Sequence, residues 1–247
     1  MEEEKKTVRA VERALDILLV FTSGSEWSLT ELAAKCALHK STVHRLLATL
    51  EEKGFVVRDD ATDKYRLGLR ILELSAHFAR SDDPTIVLIG EMETLRDQLG
   101  ETVSLYIRDG LERVRIQAVQ SRQAIRRVAQ VGVRLPLSVG ASSKVLLAFA
   151  DSATRASLLG DPAWPAGLMG VSYSKQLDEV VAAGYATSFE EREPGAAAIA
   201  APIFGRSGRL FAALAVSGPS NRLTPDVMHE RAPAIIGAAT RMGALLD

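Results

Sequence analysis

The chain has 247 residues, of which 47% are hydrophobic and 25% charged, and its formal net charge at pH 7 is −1. This composition is typical of a folded protein with one large domain or two ordinary ones. The single cysteine, Cys36, excludes an internal disulfide and a multi-cysteine zinc site. The charged first residues and the lack of a long apolar run predict a cytoplasmic protein without a membrane partner.

The first forty residues predict two helices. Apolar residues recur at helical spacing over residues 8–19 and predict a first helix that ends before Gly24. Ser28 is followed three residues later by Glu31, which is the spacing of a capping box at the start of a second helix. Cys36 lies near the end of that helix and is interpreted as a small core residue rather than a nucleophile.

The segment 39–50 is the candidate recognition helix. Its apolar residues share one face, at positions 43, 46, 47 and 50, and the opposite face is small, polar or basic. No acid appears before Glu51, so this face can approach phosphates and base edges without like-charge repulsion. The alternative is an ordinary surface helix, whose polar face usually mixes acids and bases. The candidate DNA contacts of this helix are Lys40, Ser41, Thr42, His44 and Arg45.

A hairpin is predicted after Gly54, where the candidate recognition helix ends. Residues 55–58 and 64–68 have the composition of short strands, and residues 59–63 that of a turn. Two helices joined by a tight turn and followed by a hairpin form a winged helix-turn-helix. The candidate DNA contacts of this wing, for which solvated hairpin charges are the alternative, are Arg58, Lys64 and Arg66.

A third periodic segment, residues 69–79, is too apolar for a free spacer. We interpret it as a linker helix that pairs with its copy in a second chain or packs on its own domain. Asp83 and Pro84 then predict the N-cap and first turn of a helix that continues to Gly100. The predicted organisation is a DNA-binding domain at 1–68, a linker helix at 69–82 and a second domain at 83–247.

Beyond residue 100 the hydrophobic period changes to two, which predicts strands. Asp109-Gly110 is a strong hairpin signal between the first two strands. The predicted strands are 102–108, 114–119, 125–131, 198–204 and 210–217, and the predicted helices are 141–149, 177–183 and one from Thr224 onwards. The second domain is therefore expected to be α+β, with a central antiparallel sheet flanked by helices.

Enzyme motifs fail at decisive positions. Residues 140–144 approach the nucleophile elbow G-x-S-x-G, but Lys144 replaces its last glycine, and an S-x-x-K motif lacks its serine. His77 and His229 are candidate bases that nothing positions against a serine. The acids at 190–193 lack the histidine partners of a metal site. We expect no catalysis, no metal and no cofactor.

Seven segments, in order along nearly the whole chain, resemble the IclR family of transcriptional regulators. They are ERALDIL (12–18), KSTVHRLL (40–47), YRLG (65–68), RLPL (134–137), EPG (193–195), AAPIF (200–204) and SGP (217–219). The resemblance implies an N-terminal winged helix, a linker helix and a C-terminal GAF-like domain that binds a small organic effector. It also implies a palindromic double-stranded DNA operator, a homodimer or tetramer, and the role of repressor or activator. The alternative is a metabolite-binding or protein-interaction module without specific DNA binding.

The resemblance also implies a set of ligand-binding residues. A helix N-terminus in this set, at residues 141 and 142, suits a carboxylate because its amides are free. Carried onto this chain, the set is Ala141, Ser142, Ser188, Ala196, Ala198, Ala215 and Ser217.

The implied pocket departs from the family at several positions. Ala198 stands where cysteine is frequent, Ser188 where aspartate is frequent, and Ala215 where serine is frequent. We therefore expect a roomier and more apolar pocket, suited to an aromatic acid or a related aromatic compound rather than a compact keto acid. Four arginines are assigned either to a positive rim of this pocket or to a solvated strand edge: Arg122, Arg126, Arg127 and Arg134.

Overall fold

The computed structural model describes residues 7–78, 84–165 and 171–246. The chain divides into two units, Met1–Asp83 and Pro84–Asp247. The predicted N-cap Asp83 and the predicted end of the linker, residues 79–82, lie outside the described residues.

The N-terminal unit is a helix-turn-helix with a small antiparallel sheet in the order β1-β3-β2. A 3-10 turn, Phe21–Ser23, extends its first helix. In chain order the elements are α1 (Arg9–Val20), β1 (Trp27–Ser28), α2 (Leu29–Lys35), α3 (Lys40–Glu52), β2 (Val56–Asp59), β3 (Lys64–Leu67) and α4 (Leu69–Phe78).

Local signals in the sequence account for the ends of these helices. The capping box is confirmed, because Ser28 Oγ accepts from the Glu31 amide and the Glu31 carboxylate accepts from the Ser28 amide. Gly54 follows α3 with a φ of +75°, which favours glycine. Gly68 lies so close to the preceding chain that a Cβ there would be 2.2 Å from the Gly54 carbonyl oxygen. The core of the unit includes the fully buried Ile17 and Leu47.

The C-terminal unit is α+β, as predicted, with a six-stranded antiparallel sheet in the order β6-β5-β4-β9-β8-β7. Its elements are α5 (Pro84–Val87), α6 (Ile89–Leu99), β4 (Thr102–Asp109), β5 (Glu112–Val119), β6 (Arg134–Pro136), α7 (Ala141–Ala148), α8 (Ser152–Leu159), α9 (Val171–Ala183), β7 (Ala186–Phe189), β8 (Ala196–Phe204), β9 (Leu210–Pro219) and α10 (Pro225–Ala244).

Helices cover both faces of this sheet, and strand alternation assigns side chains to the two sides. Ile199 packs with α6 and α10 in one cluster, whereas its neighbour Ala200 packs with α7 and α9 in the other. The face toward α7 carries small residues, including Ala213 and Ala215. The cavity described below therefore lies on the α7 side of the sheet.

The structure corrects several predicted elements. Residues 125–131 form no strand, and their apolar residues Ile125, Val128 and Val131 are exposed. This segment is held instead by hydrogen bonds from other side chains, such as Thr102 Oγ1 to the Arg127 carbonyl. The helix predicted after Asp83 is interrupted at Leu88.

Three elements of the C-terminal unit were not predicted: the helix α8 and the edge strands β6 and β7. The helix α9 is longer than expected, because it begins at Val171 rather than near residue 177. Among the described residues, none of the helices has the length and apolarity needed to cross a membrane.

Candidate functional site

The helix α3 has the two faces that its sequence predicts. Val43, Leu47 and Leu50 are buried, whereas Lys40, Ser41, His44, Arg45 and Ala48 are exposed and Thr42 is half-buried. His39 caps the helix, since its Nδ1 accepts from the Ser41 amide at 3.4 Å and lies 2.8 Å from Ser41 Oγ. Within the described ranges, no ion pair engages Lys40 or Arg45, so the exposed face offers two free cations to an anionic partner.

The wing does not bring its three candidate cations together. Arg58 is paired across the hairpin with Tyr65, so the two side chains share a face, and the guanidinium carbon lies 6.0 Å from the Tyr65 ring centre. Arg58 Nε also donates to Asp63 Oδ1 at 2.6 Å, which raises the pKa of the arginine. Lys64 and Arg66 point to the other face and form no ion pair in the part of the chain that the structure describes.

A groove of about 680 Å³ separates α1 from α3. Its lining is largely apolar and includes Val11, Leu15 and Leu46, with Arg45 at its α3 side. On α1, the side chains of Val11, Leu15 and Leu19 are more than half exposed. Exposed apolar residues at helical spacing on one helix usually mark an interaction surface.

All seven residues of the implied ligand-binding set line one cavity of the C-terminal unit. The cavity volume is about 60 Å³. The lining consists of Ala141, Ser142, Ser188, Ala196, Ala198, Ala215 and Ser217, together with Tyr106, Arg113, Arg115, Arg127, Gly140, Arg192 and Ala197.

The strands and α7 position these residues on opposite sides of the cavity. Ser188 pairs with Ala198, and Ala198 pairs with Ser217, so the three lie in one row across β7, β8 and β9. Gly140 precedes α7 with a φ of +100°, and no side chain caps the helix. The free amides of the first turn therefore lie beside the cavity, where they favour an anionic group.

Two buried arginines of β5 form the most polar part of the lining. Arg113 is 4% exposed, and its Nη1 donates to the carbonyls of Pro136 and Val139 and to Ser143 Oγ. Burial lowers the pKa of Arg113 to about 10. Its Nε is buried without a hydrogen-bond partner among the described residues.

Arg115, two residues further along β5, is 7% exposed. Its Nε and Nη2 donate to Tyr106 Oη at 2.9 and 2.5 Å, and its Nη1 donates to the Gln130 carbonyl. The Tyr106 ring lies within 5.5 Å of the guanidinium carbon of Arg113 and within 5.1 Å of that of Arg115. In the described chain, no carboxylate pairs with either guanidinium.

The loop between β7 and β8 closes one side of the cavity. Lys144 of α7 donates to the Thr187 carbonyl at 3.0 Å and to Glu191 at 2.5 Å, which ties the loop to the helix. Glu193 of the loop accepts from both Arg127 and Arg192. These two cations of the lining are therefore neutralised in part, unlike the two arginines of β5.

The expectation of a roomier, more apolar pocket is wrong. Four arginine side chains line the cavity together with the small residues Ala198 and Ala215, and the cavity volume is only about 60 Å³. Of the four arginines assigned to a positive rim, Arg127 alone lines the cavity. The other three form contacts elsewhere: Arg122 with Asp97, Arg126 with Gln120 and Gln123, and Arg134 with Asp109 and Glu112.

Four residues of the lining were not predicted from the sequence: Tyr106, Arg113, Arg115 and Arg192. The signal available for the β5 pair was two basic residues at a spacing of two in a predicted strand, which places them on one face. The candidate base His229 instead lies 2.7 Å from Tyr185 Oη. Among the described residues, no group of histidine, cysteine and acidic side chains is arranged to hold a metal ion.

Family models match both halves of the chain. The model "IclR helix-turn-helix domain" matches residues 10–60, and the model "Bacterial transcriptional regulator IclR C-terminal" matches residues 85–243. The transcriptional regulator XynR of Escherichia coli K12 is 31% identical over 222 residues, which cover 87% of this chain and 88% of XynR.

Solved structures agree with this match. An IclR-type regulator from Alicyclobacillus acidocaldarius aligns with a TM-score of 0.80 at 25% identity, over 98% of this chain and 100% of that one. An IclR homologue from Microbacterium hydrocarbonoxydans, crystallised with 4-hydroxybenzoate, aligns with a TM-score of 0.73 at 25% identity, over 93% and 98% of the two chains. The chain therefore belongs to the IclR family of DNA-binding transcriptional regulators, with an N-terminal helix-turn-helix and a C-terminal effector domain.

Proposed function

We propose that the exposed face of α3 reads a palindromic operator in the major groove. The observation that carries this proposal is the exposed, acid-free face of α3, on which Lys40 and Arg45 have no ion-pair partner among the described residues. Ser41, Thr42 and His44 lie on or beside the same face and supply further hydrogen-bonding groups. On the wing, Lys64 and Arg66 bind phosphates, and Arg58 contributes less because Asp63 already neutralises it.

The DNA-binding form is a homodimer, and two such dimers can associate through their effector domains to form a tetramer. The exposed apolar residues of α1 and of α4, where Leu69 and Leu72 are also exposed, support self-association of the N-terminal unit. A dimer doubles the phosphate contacts, which a chain with a net charge of −1 needs for a tight complex. Its two recognition helices would read half-sites about 34–36 Å apart. Its target places the protein in the cytoplasm, with the chromosome.

The effector is a small organic acid that binds in the cavity beside α7. The uncapped start of α7 and the β5 arginines support an acidic ligand. The Microbacterium homologue, crystallised with 4-hydroxybenzoate, supports an aromatic acid as the class of effector. A bound acid shifts the population of effector-domain arrangements, and the linker helix α4 transmits the change to the spacing of the recognition helices.

An in vitro selection tests the DNA-binding part of this proposal. Full-length protein is incubated with a pool of random duplexes, and the bound DNA is sequenced over several rounds. We expect enrichment of an inverted repeat whose half-site centres lie about one helical turn apart. Enrichment of no sequence over the starting pool would favour the protein-interaction alternative.

A further inference from the structure

The lining of the effector cavity carries an excess of positive charge. Four guanidinium groups line it, and Glu193 lies within ion-pair distance of two of them, those of Arg127 and Arg192. None of the lining residues is acidic. Arg113 and Arg115 therefore bring two positive charges that no described carboxylate offsets.

Burying the charges of Arg113 and Arg115 costs free energy of solvation. Protein interiors rarely hold a cation without an anion, because a buried charge loses its hydration. The acceptors of Arg113 and Arg115 are carbonyl and hydroxyl oxygens, which are neutral. Contact with the Tyr106 ring compensates both cations only in part.

The two guanidinium groups define two neighbouring subsites. Arg113 belongs to the first, because its Nη2 lies within 3.1 Å of the place where a Cβ on Gly140 would be, at the start of α7. Arg115 belongs to the second, where Tyr106 Oη is its partner. Side chains at a spacing of two on a strand originate about 7 Å apart on the same face, so the two subsites are adjacent.

We propose that the effector of this regulator is a compact dicarboxylate, with one carboxylate at Arg113 and the start of α7 and the other at Arg115. The inference rests on the proposed function, since it names the ligand class of the same cavity. A monoacid would neutralise one of the two buried cations and leave the other. A diacid neutralises both and also accepts the hydrogen bond that the orphan Nε of Arg113 offers.

Calorimetric titration of the full-length protein tests the preference directly. The probes are the straight-chain diacids of three to six carbons and the three benzenedicarboxylates, each compared with the monoacid of the same chain or ring at fixed ionic strength. We expect at least one diacid to bind tenfold or more tightly than its monoacid. Binding of no diacid, or equal binding of diacid and monoacid in every pair, would overturn the proposal.

Charge-removing variants assign that preference to β5. Arg113→Gln and Arg115→Gln each keep an amide donor but lose the charge, and we expect the ratio of diacid to monoacid affinity to fall at least fivefold. Arg113→Lys keeps the charge and should keep the preference. Arg134→Gln is the matched control, because it removes an arginine from the adjacent strand outside the cavity.

A merely structural role of the two arginines predicts another pattern. Thermal melting would show loss of stability, but the affinity ratio of a surviving variant would stay at the wild-type value, and that result overturns the assignment. If Arg113→Gln does not fold, Arg115→Gln carries the same comparison. In vitro selection with the same protein separates this inference from the proposed function, since a failed diacid preference with intact operator binding refutes the inference alone.

Discussion

At the scale of single residues, two arginines of the N-terminal unit differ in what they can offer DNA. Arg45 is exposed on α3 and has no ion-pair partner among the described residues, whereas Arg58 is engaged by Asp63 and lies against Tyr65. A guanidinium that already has a carboxylate partner gains less from a phosphate, because that pair must first be broken.

Replacing Arg45 tests base reading by α3. We expect Arg45→Ala to weaken binding to the selected operator by about 1–3 kcal/mol and to relax the preference for one base position. Arg134→Ala removes the same charge from the C-terminal unit and should leave operator affinity unchanged. Fluorescence anisotropy with operator and single-base variants measures both effects. Equal losses on operator and random duplex would mean that Arg45 contacts phosphate rather than base.

The wing provides a second test at this scale. Arg66→Ala should weaken binding to all duplexes alike and reduce the slope of log affinity against log salt by about 1. Arg58→Ala should reduce that slope by a smaller amount, because Asp63 already neutralises Arg58. Titrations at several salt concentrations give the slopes, and equal slopes for the two variants would contradict the face assignment.

Sequence spacing was sufficient to predict the faces of α3 but not the surroundings of the β5 arginines. In β5, Arg113 and Arg115 alternate with Val114 and Ile116, a pattern that normally places the apolar side chains inward and the charged ones in solvent. Here Ile116 packs on the core beside α6 and α10, and the arginines face α7. The arginine face of β5 is buried because helices cover both faces of the sheet.

At the scale of elements, the start of α2 depends on one carboxylate. Glu31 accepts from the amide and the hydroxyl of Ser28, and these bonds lower its pKa below the ordinary value of 4.5. A carboxyl whose folded-state pKa is lowered stabilises the fold above its unfolded pKa, and this contribution is lost as the pH falls through the lowered value.

The matching variant is Glu31→Gln. At pH 7 we expect faster hydrogen exchange in α2 of the variant than in the wild type, because the ionised cap is missing. Below about pH 4.5 the difference should shrink, since Glu31 of the wild type also becomes protonated. Peptide-resolved hydrogen exchange of the full chain measures this difference in α2, after correction for the intrinsic pH dependence of exchange. A difference that stays constant down to pH 3 would exclude this role of the carboxylate.

The junction between the wing and α4 depends on a glycine. A Cβ at position 68 would lie 2.2 Å from the Gly54 carbonyl oxygen, and the Gly68 amide donates to the Phe55 carbonyl at 2.8 Å. The Gly54 carbonyl oxygen belongs to the backbone, so it cannot move aside as the end of a flexible side chain can. We therefore expect Gly68→Ala to destabilise the N-terminal unit by about 1–3 kcal/mol, as overpacking does.

Gly90→Ala is the control for this substitution. Gly90 lies in α6, and a Cβ there would meet nothing within 4 Å, so alanine should be neutral or slightly stabilising. Urea denaturation with peptide-resolved exchange distinguishes the two units. If Gly68→Ala is as stable as the wild type, the backbone at Gly54 and at position 68 can move apart without loss of folding free energy.

The helices and strands were predicted correctly where a local sequence signal, such as a cap or a tight turn, defines them. They were predicted wrongly where pairing with a neighbouring strand defines them. The capping box at Ser28 and the hairpin at Asp109-Gly110 carry their own signals, and both are present. The apolar residues at 125, 128 and 131 suggested a strand, but a strand needs a neighbour. The edge strand β7 is short and rich in small residues, and its pairing with β8 is what defines it.

At the scale of the whole molecule, two units serve two tasks. The resemblance placed all seven ligand-binding candidates in one cavity, although they come from α7, β7, β8 and β9. It did not indicate Arg113 and Arg115 of the lining, because their strand β5 contains none of the segments that resemble the family. The order of the domains follows from short motifs, whereas the chemistry of the cavity follows from long-range packing.

A cavity-filling variant separates the two tasks. Ala198 lies between Ser188 and Ser217 in one row of the sheet, so Ala198→Leu should fill the cavity and block the acid. We expect the variant to bind the operator as the wild type does without effector. Loss of operator binding by the variant would mean that the cavity is needed for more than sensing.

The most direct measurement is the affinity of the full-length protein for its selected operator, with and without a saturating organic acid, in wild type and in Ala198→Leu. We expect a change of fivefold or more in the wild type, as coupling of about 1–3 kcal/mol would give, and no change in the variant. An acid that saturates the cavity but leaves the operator affinity of the wild type unaltered would contradict coupling between the cavity and the recognition helices.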